Sequence, residues 1–247
     1  MQTPGQYIYA IADSTIQDGY GPIGIQGGEV QVVRHGSIAA IVSDFVGAKL
    51  RPERRNLAAH NAVIKKVMEV ETVLPMAFGT LADDMDGVMS ILENNETNFK
   101  EELDQVRGKV EMGVRVGMDL PNVFEYFVNK YSELTTLRDR ILTMQNSASQ
   151  LDKIELGRVF ERILNEERER HTNSVKKVLQ TLCDEIIENP PRDEREVMHL
   201  ACLITRENQK SFEDGIFEAA KLFNNDFTFD FNGPWAPHHF IRMNVEA

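Results

Sequence analysis

In the first half of the chain the apolar positions change period several times. Residues 7–12, Tyr7-Ile8-Tyr9-Ala10-Ile11-Ala12, are apolar without alternation, which predicts a strand covered on both faces and central in its sheet. Glycines crowd residues 19–28 and predict a loop. Residues 30–34 and 37–43 read as two strands joined through His35-Gly36, a short X-Gly turn suited to a hairpin. Pro52 suits the first turn of a helix. Leu57, His60, Ile64, Val67 and Glu71 recur at spacings of three and four, so one helix face runs to about residue 71. Residues 73–81 are extended, with Pro75 and Gly79 as breaks. Two shorter helices fit residues 86–92 and 96–106, and Gly108 stops the second.

The second half opens on the clearest strand. Val110, Met112, Val114, Val116 and Met118 alternate with Glu111, Gly113, Arg115, Gly117 and Asp119, giving one core face and one polar face. Pro121 begins a helical stretch through Phe124, Phe127, Tyr131 and Leu134. A long helix is predicted over 151–188, ended by Asn189-Pro190-Pro191. A strand at 197–204, a helix at 208–223 and a strand at 227–231 follow, the last with Phe227, Phe229 and Phe231 on one side. Gly233-Pro234 is expected to stop it and to fix a loop around Trp235. These elements predict an α+β chain of two domains divided at Gly108. Residues 1–108 form an N-terminal α+β domain. Residues 109–247 form a C-terminal ferredoxin-like β-α-α-β-α-β domain with long helices and an enlarged helical crossover.

The long helix has a gap in its apolar stripe. Leu156, Phe160, Ile163 and Leu164 form one stretch; Val175, Val178, Leu179, Leu182 and Ile186 form another; residues 165–174 between them are almost wholly polar. Unbroken, a helix over 151–188 would exceed about 50 Å, longer than a small domain is wide. A helix pair, or one broken helix that protrudes, is expected instead.

The formal net charge of −12 opposes a polyanionic partner such as nucleic acid or an anionic membrane surface. No apolar run approaches the roughly 20 residues that cross a bilayer, and Met1-Gln2-Thr3-Pro4-Gly5 has no cationic region like that of a signal peptide. Cys183 and Cys202 are too few for a disulfide framework and fit buried thiols in a reducing cytosol.

Candidate chemistry is sparse. Gly19-Tyr20-Gly21-Pro22-Ile23-Gly24 matches G-x-G-x-x-G after a strand, but a strand rather than a helix follows, so no helix N-terminus would meet a pyrophosphate. Asp84-Met85-Asp86-Gly87 with Glu93 has part of a calcium-loop spacing; Ala82 stands at its first ligand position, and Asp83, Asp84 and Asp86 fit acidic helix caps. Adjacent His238 and His239 point opposite ways on extended chain, and His60 shares its face with Leu57 and Ile64, as a hydrogen-bonded core histidine would. No metal, cofactor or catalytic group is expected. Lys49, Arg51, Arg54 and Arg55 form the strongest local reversal of an acidic chain: a solvated helix start, or a contact to an acidic partner surface. The polar sheet face of Glu111, Arg115, Thr228 and Asp230 is an ordinary solvated face or a docking surface.

Five blocks carry a family resemblance. They are Tyr7-Ile8-Tyr9-Ala10-Ile11; Ala59-His60-Asn61-Ala62-Val63; Val73-Leu74-Pro75-Met76-Ala77-Phe78-Gly79-Thr80; Gly108-Lys109-Val110-Glu111 with Val114-Arg115-Val116; and Gly233-Pro234-Trp235. In this order they closely resemble the gas vesicle protein F/L family. Two departures stand out: many members of that family carry Arg where Ala77 stands, and Pro-Pro-Tyr where Ala236-Pro237-His238 stand. The resemblance implies a non-enzymatic minor component or assembly factor of gas vesicles, located there within the cytoplasm. Its partners would be the major hydrophobic shell protein and other accessory proteins, with Lys49, Arg51, Arg54, Arg55 and Trp235 as partner-binding candidates. The alternative is a small-molecule-binding regulatory or enzymatic ferredoxin-like protein, with its site between residues 19–28 and 73–81.

Overall fold

A computed structural model describes residues 4–47, 50–144 and 149–243. By their internal contacts the residues form two units: Met1–Glu111 with Gly233–Ala247, and Met112–Asn232. The sequence division at 108/109 grouped residues 233–247 with the second half; by contacts they group with the first.

The first unit holds β1 (Gly5–Asp13), β2 (Val30–His35), β3 (Ile38–Phe45), α1 (Arg54–Met68), β4 (Val73–Pro75), β5 (Leu81–Ala82) and α2 (Met85–Val106). Its sheet runs β2-β3-β1-β4, with β5 also pairing β1. β1 lies inside the sheet, and Tyr7 through Ala12 are fully buried, as its unbroken apolar run predicts. His35 pairs with Ile38, so the hairpin turn is Gly36-Ser37, one residue later than expected. Gly36 holds φ +51°, and the Glu96 carboxylate accepts from the Ser37 N–H at 2.8 Å and its hydroxyl at 3.1 Å. Those bonds join the turn to α2.

Both helices of this unit differ from expectation. α1 begins after Glu53, so Pro52 precedes it, and it ends at Met68, leaving Glu71 outside. Its buried stripe is Asn56, His60, Val63, Ile64 and Val67, while Leu57 is mostly turned outward. The Asn56 amide is drawn inward because it donates to the Arg51 carbonyl at 3.0 Å. α2 is one helix where two were expected. Asn95, in the expected gap, lies on the buried face and donates to the Ile91 carbonyl one turn back at 2.8 Å. The stripe Val88, Ile91, Leu92, Phe99, Leu103 and Val106 therefore continues through it. Asp84 caps the start, accepting from the Gly87 N–H at 2.9 Å.

The second unit carries the remaining elements. They are β6 (Lys109–Met118), α3 (Val123–Lys130), α4 (Ser132–Thr143), α5 (Gln150–Leu179), β7 (Glu185–Asn189), β8 (Glu196–Thr205), α6 (Gln209–Ala220) and β9 (Phe227–Trp235), with β6 and β9 each containing a division point. The sheet order is β7-β8-β6-β9. α5 is a single 30-residue helix opened by a Ser149–Asp152 capping box; the expected break is absent. The polar stretch stays helical through its own pairings: Arg162 with Glu166, Glu167 with Arg170 and His171. Arg168 reaches off the helix to the carbonyls of Asp193 at 2.6 Å and Glu196 at 3.1 Å. Burial pushes its guanidinium pKa down, but those acceptors hold it in place.

The helix ends at Leu179 and β7, which the sequence reading missed, follows. Leu182 and Ile186 extend the three-and-four spacing of α5 past its true end, which hid the strand. β7 pairs antiparallel with β8 from Glu185↔Leu203 to Asn189↔His199. β9 also runs further than expected, through Gly233-Pro234 to Trp235, with a cis Gly233–Pro234 bond and Gly233 at φ +128°. β9 is an edge strand, where proline's missing donor costs no ladder bond.

Candidate functional site

The densest side-chain chemistry of the first unit is buried. Tyr7 accepts from the Gly79 N–H at 3.0 Å and donates to His60 Nδ1 at 2.9 Å. His60 is thereby the neutral acceptor tautomer at Nδ1, and its other face bonds the Met76 carbonyl. Burial, then the neighbouring His238, pushes its pKa down to about 4. The Tyr9 hydroxyl accepts from the Ile25 N–H at 2.6 Å and shares a 2.8 Å bond with Ser43 Oγ. The rings of Tyr7, Tyr9, His60 and Phe78 pack at centroid distances of 4.7 to 6.2 Å. Two hydroxyls on one strand thus fasten two loops, residues 19–28 and 76–80. Burial pushes the Tyr7 phenol up to about 12 and the Tyr9 phenol up as well, so neither ionises at neutral pH. The cluster holds structure. The 290 Å³ cavity beside the second loop is lined by Pro75, Met76, Ala77, Thr80, Ile241 and Met243, with no residue of 19–28.

The partner-binding candidates lie elsewhere. Arg51, Arg54 and Arg55 are exposed at the start of α1, and Arg55 pairs with Glu53 at 2.9 Å across solvent. Lys49 lies outside the described residues. Trp235, 45% exposed, ends β9, a different element. After it the chain docks on the first unit: Ala236 and Phe240 are buried. The Glu111 carboxylate accepts from the His239 N–H at 2.9 Å and meets its ring at 2.7 Å, and Glu102 accepts from the Arg242 N–H at 3.1 Å. Glu111 is therefore a buried anchor rather than part of a solvated sheet face. Arg115 remains on the polar face, bridging to Glu196 at 3.4 Å and His199 at 3.2 Å, with Thr228 and Asp230 exposed.

After Gly24 comes a single 3-10 turn, Ile25–Gly27, then β2. A Cβ on Gly24 would stand 2.7 Å from the Tyr9 hydroxyl, so that glycine serves the tyrosine contact. Among the described residues no group of three His, Cys, Asp or Glu side chains is placed to hold a metal. Cys202 is buried and Cys183 only partly so. A further cluster lies in the second unit. Glu167 accepts from Tyr131, pairs with Lys130, Arg170 and His171, and His171 stacks on Phe223 at 4.7 Å. Its signal in the sequence was Glu167 and His171 one helical turn apart inside the polar stretch.

Comparison with known proteins decides the family. The family model described as gas vesicle synthesis protein GvpL/GvpF matches residues 5–242. This chain belongs to that family. Gas vesicle protein F of Streptomyces sp. (strain CB03234) is 28% identical over 241 residues, 96% of this chain and 99% of that protein. The crystal structure of GvpF from Anabaena sp. PCC7120 superposes with a TM-score of 0.86 at 24% identity, covering 98% of this chain and 100% of that one. GvpF from Microcystis aeruginosa gives 0.85 at 22% identity over the same shares. The mixed helix-and-sheet fold of these F/L proteins is the fold seen here. Three of the blocks that carried the resemblance, at residues 7–11, 59–63 and 73–80, converge on the Tyr7–His60–Phe78 cluster. In this F/L chain they form the structural centre of the first unit. Among the described residues no helix is long and apolar enough to cross a membrane.

Proposed function

We propose that this chain is a non-enzymatic accessory protein of gas vesicle formation that grips the hydrophobic shell protein, and other accessory proteins, at the vesicle within the cytoplasm. The chain-long family match carries this reading. The exposed arginines at the start of α1, with Lys49, and the half-exposed Trp235 are the proposed contacts. An acidic chain carrying a local basic patch suits a partner with an acidic polar surface, and its net charge of −12 keeps it dispersed while it holds an apolar one. We read the second unit as a modified ferredoxin-like domain; its strand order β7-β8-β6-β9 supports this, with α3, α4 and α5 as the enlarged crossover.

The test is capture of the major shell protein by the purified chain at several salt concentrations. Capture is expected, weakening as salt screens the arginine contacts over about 10 Å at 0.1 M. Arg54→Glu with Arg55→Glu is expected to reduce low-salt capture several-fold and to flatten its salt dependence. No association at any salt concentration would remove the reading.

A further inference from the structure

The outward side of α5 near its start is apolar where a solvated helix would be polar. Leu151 is 75% exposed and Ile154 41%, and Leu142, in the last turn of the neighbouring α4, is 66% exposed. Large apolar side chains grouped in this way mark a surface that another molecule covers. Three residues past Ile154 stands Gly157, inside the helix and exposed. Glycine weakens a helix interior relative to alanine. Nothing within the chain calls for it here: its backbone is not left-handed, and, the helix's own backbone aside, a Cβ would meet no described atom within 4 Å. What the glycine permits is the approach of a second helix toward the lower end of the roughly 8–10 Å interaxial range.

The charges around Gly157 say which helix. Most ionised groups of this hairpin are paired within the chain: Arg140 with Asp152 and Glu155, Arg162 with Glu133 and Glu166. Lys153 and Glu161 are exposed and form no ion pair among the described residues. One stands four residues before Gly157 and the other four residues after it, about 6 Å along the axis each way. Lys153, Ile154, Gly157 and Glu161 share about 100° of the helix circumference, with Leu151 and Arg158 at the rim. We propose that this face docks on the same face of a second copy of the chain, antiparallel and crossing at Gly157. A two-fold axis there sets Lys153 level with the partner's Glu161, and Glu161 level with the partner's Lys153. An unrelated helix has no reason to carry that complement in that register; a second copy carries it by symmetry. One helix crossing buries less than the roughly 1,000 Å² of a strong interface, so the dimer is expected at micromolar concentrations and above.

Sedimentation equilibrium of the full chain, from micromolar to millimolar, measures the association beside Lys153→Glu, Glu161→Lys and the double variant. Each single reversal sets like charges opposite one another on both sides of the crossing and is expected to weaken the dimer at least tenfold. The double variant exchanges the charges, rebuilds both pairs and is expected to return to within threefold of the parent. Gly157→Leu holds the helices apart and should weaken the dimer as much, while melting no lower than the parent, because leucine is the better helix former and finds open space. The reversals remove no ion pair within the chain, so those variants should melt as the parent does where all are monomeric. A parent that stays monomeric at every concentration overturns the inference. So does a dimer that the single reversals leave at the parent's strength, or one that the double variant fails to restore. A monomeric parent that loses capture of the shell protein on Ile154→Ser overturns it too, and gives the face to that partner.

Discussion

Tyr7→Ala is expected to lower the unfolding free energy by about 3–5 kcal/mol, the range for deleting a fully buried aromatic ring. Tyr7 has no exposed surface, and its ring packs on Tyr9, His60 and Phe78. The hydroxyl adds a separable part. Tyr7→Phe keeps the ring but strands His60 Nδ1 and the Gly79 N–H, a loss of about 1–3 kcal/mol. Trp235 is the only tryptophan of the chain and groups with the first unit, so its fluorescence during denaturant unfolding reports on that unit. A phenylalanine variant as stable as the parent would show that the hydroxyl bonds do not hold the 76–80 loop.

Stability should also fall as the medium is acidified from pH 7 to pH 4. His60 is buried and neutral, its pKa pushed from the ordinary 6.5 down to about 4. In that window the unfolded chain binds the proton and the folded chain does not, so unfolding takes up a proton and is favoured by acid. The contribution is complete above about pH 6.5 and is lost toward pH 4, about 3 kcal/mol in all. His238 and His171 are pushed down by burial too and act with the same sign. The carboxylates act lower. For Asp13, burial is outweighed by bonds from Thr15 and Lys100, and for Glu167 by bonds from Tyr131 and Arg170; both are held at about 2. Their share is lost only as pH falls from the ordinary carboxylate range toward 2. Urea unfolding across the pH series checks this, and His60→Gln should flatten most of the slope between pH 6.5 and 4. A variant with the parent's slope would place the titration on another group.

How far the sequence could be read depended on whether one period ruled a segment. β1 and β6 were legible because unbroken or strictly alternating apolar residues have few alternatives. β7 was not, because Leu182 and Ile186 keep helical spacing with Val175 and Leu179, and only pairing with β8 separates strand from helix. α2 was read as two helices, 86–92 and 96–106, because Glu93, Asn94 and Asn95 between them are all polar. Glu111 alternated with the outward residues of β6, yet the returning His239, distant in sequence, covers it. The chemistry followed the same rule. His60 was legible as a core histidine from its helix face. The tyrosine hydroxyls that fasten two loops were not, since phenol partners are long-range.

That the first unit takes residues from both sides of the second has a bearing on biosynthesis. As the ribosome delivers the chain, the anchors at Glu102 and Glu111 must wait for Arg242 and His239, which emerge only after all of residues 112–232. The amino-terminal lobe is thus left unsealed through most of translation and closes last.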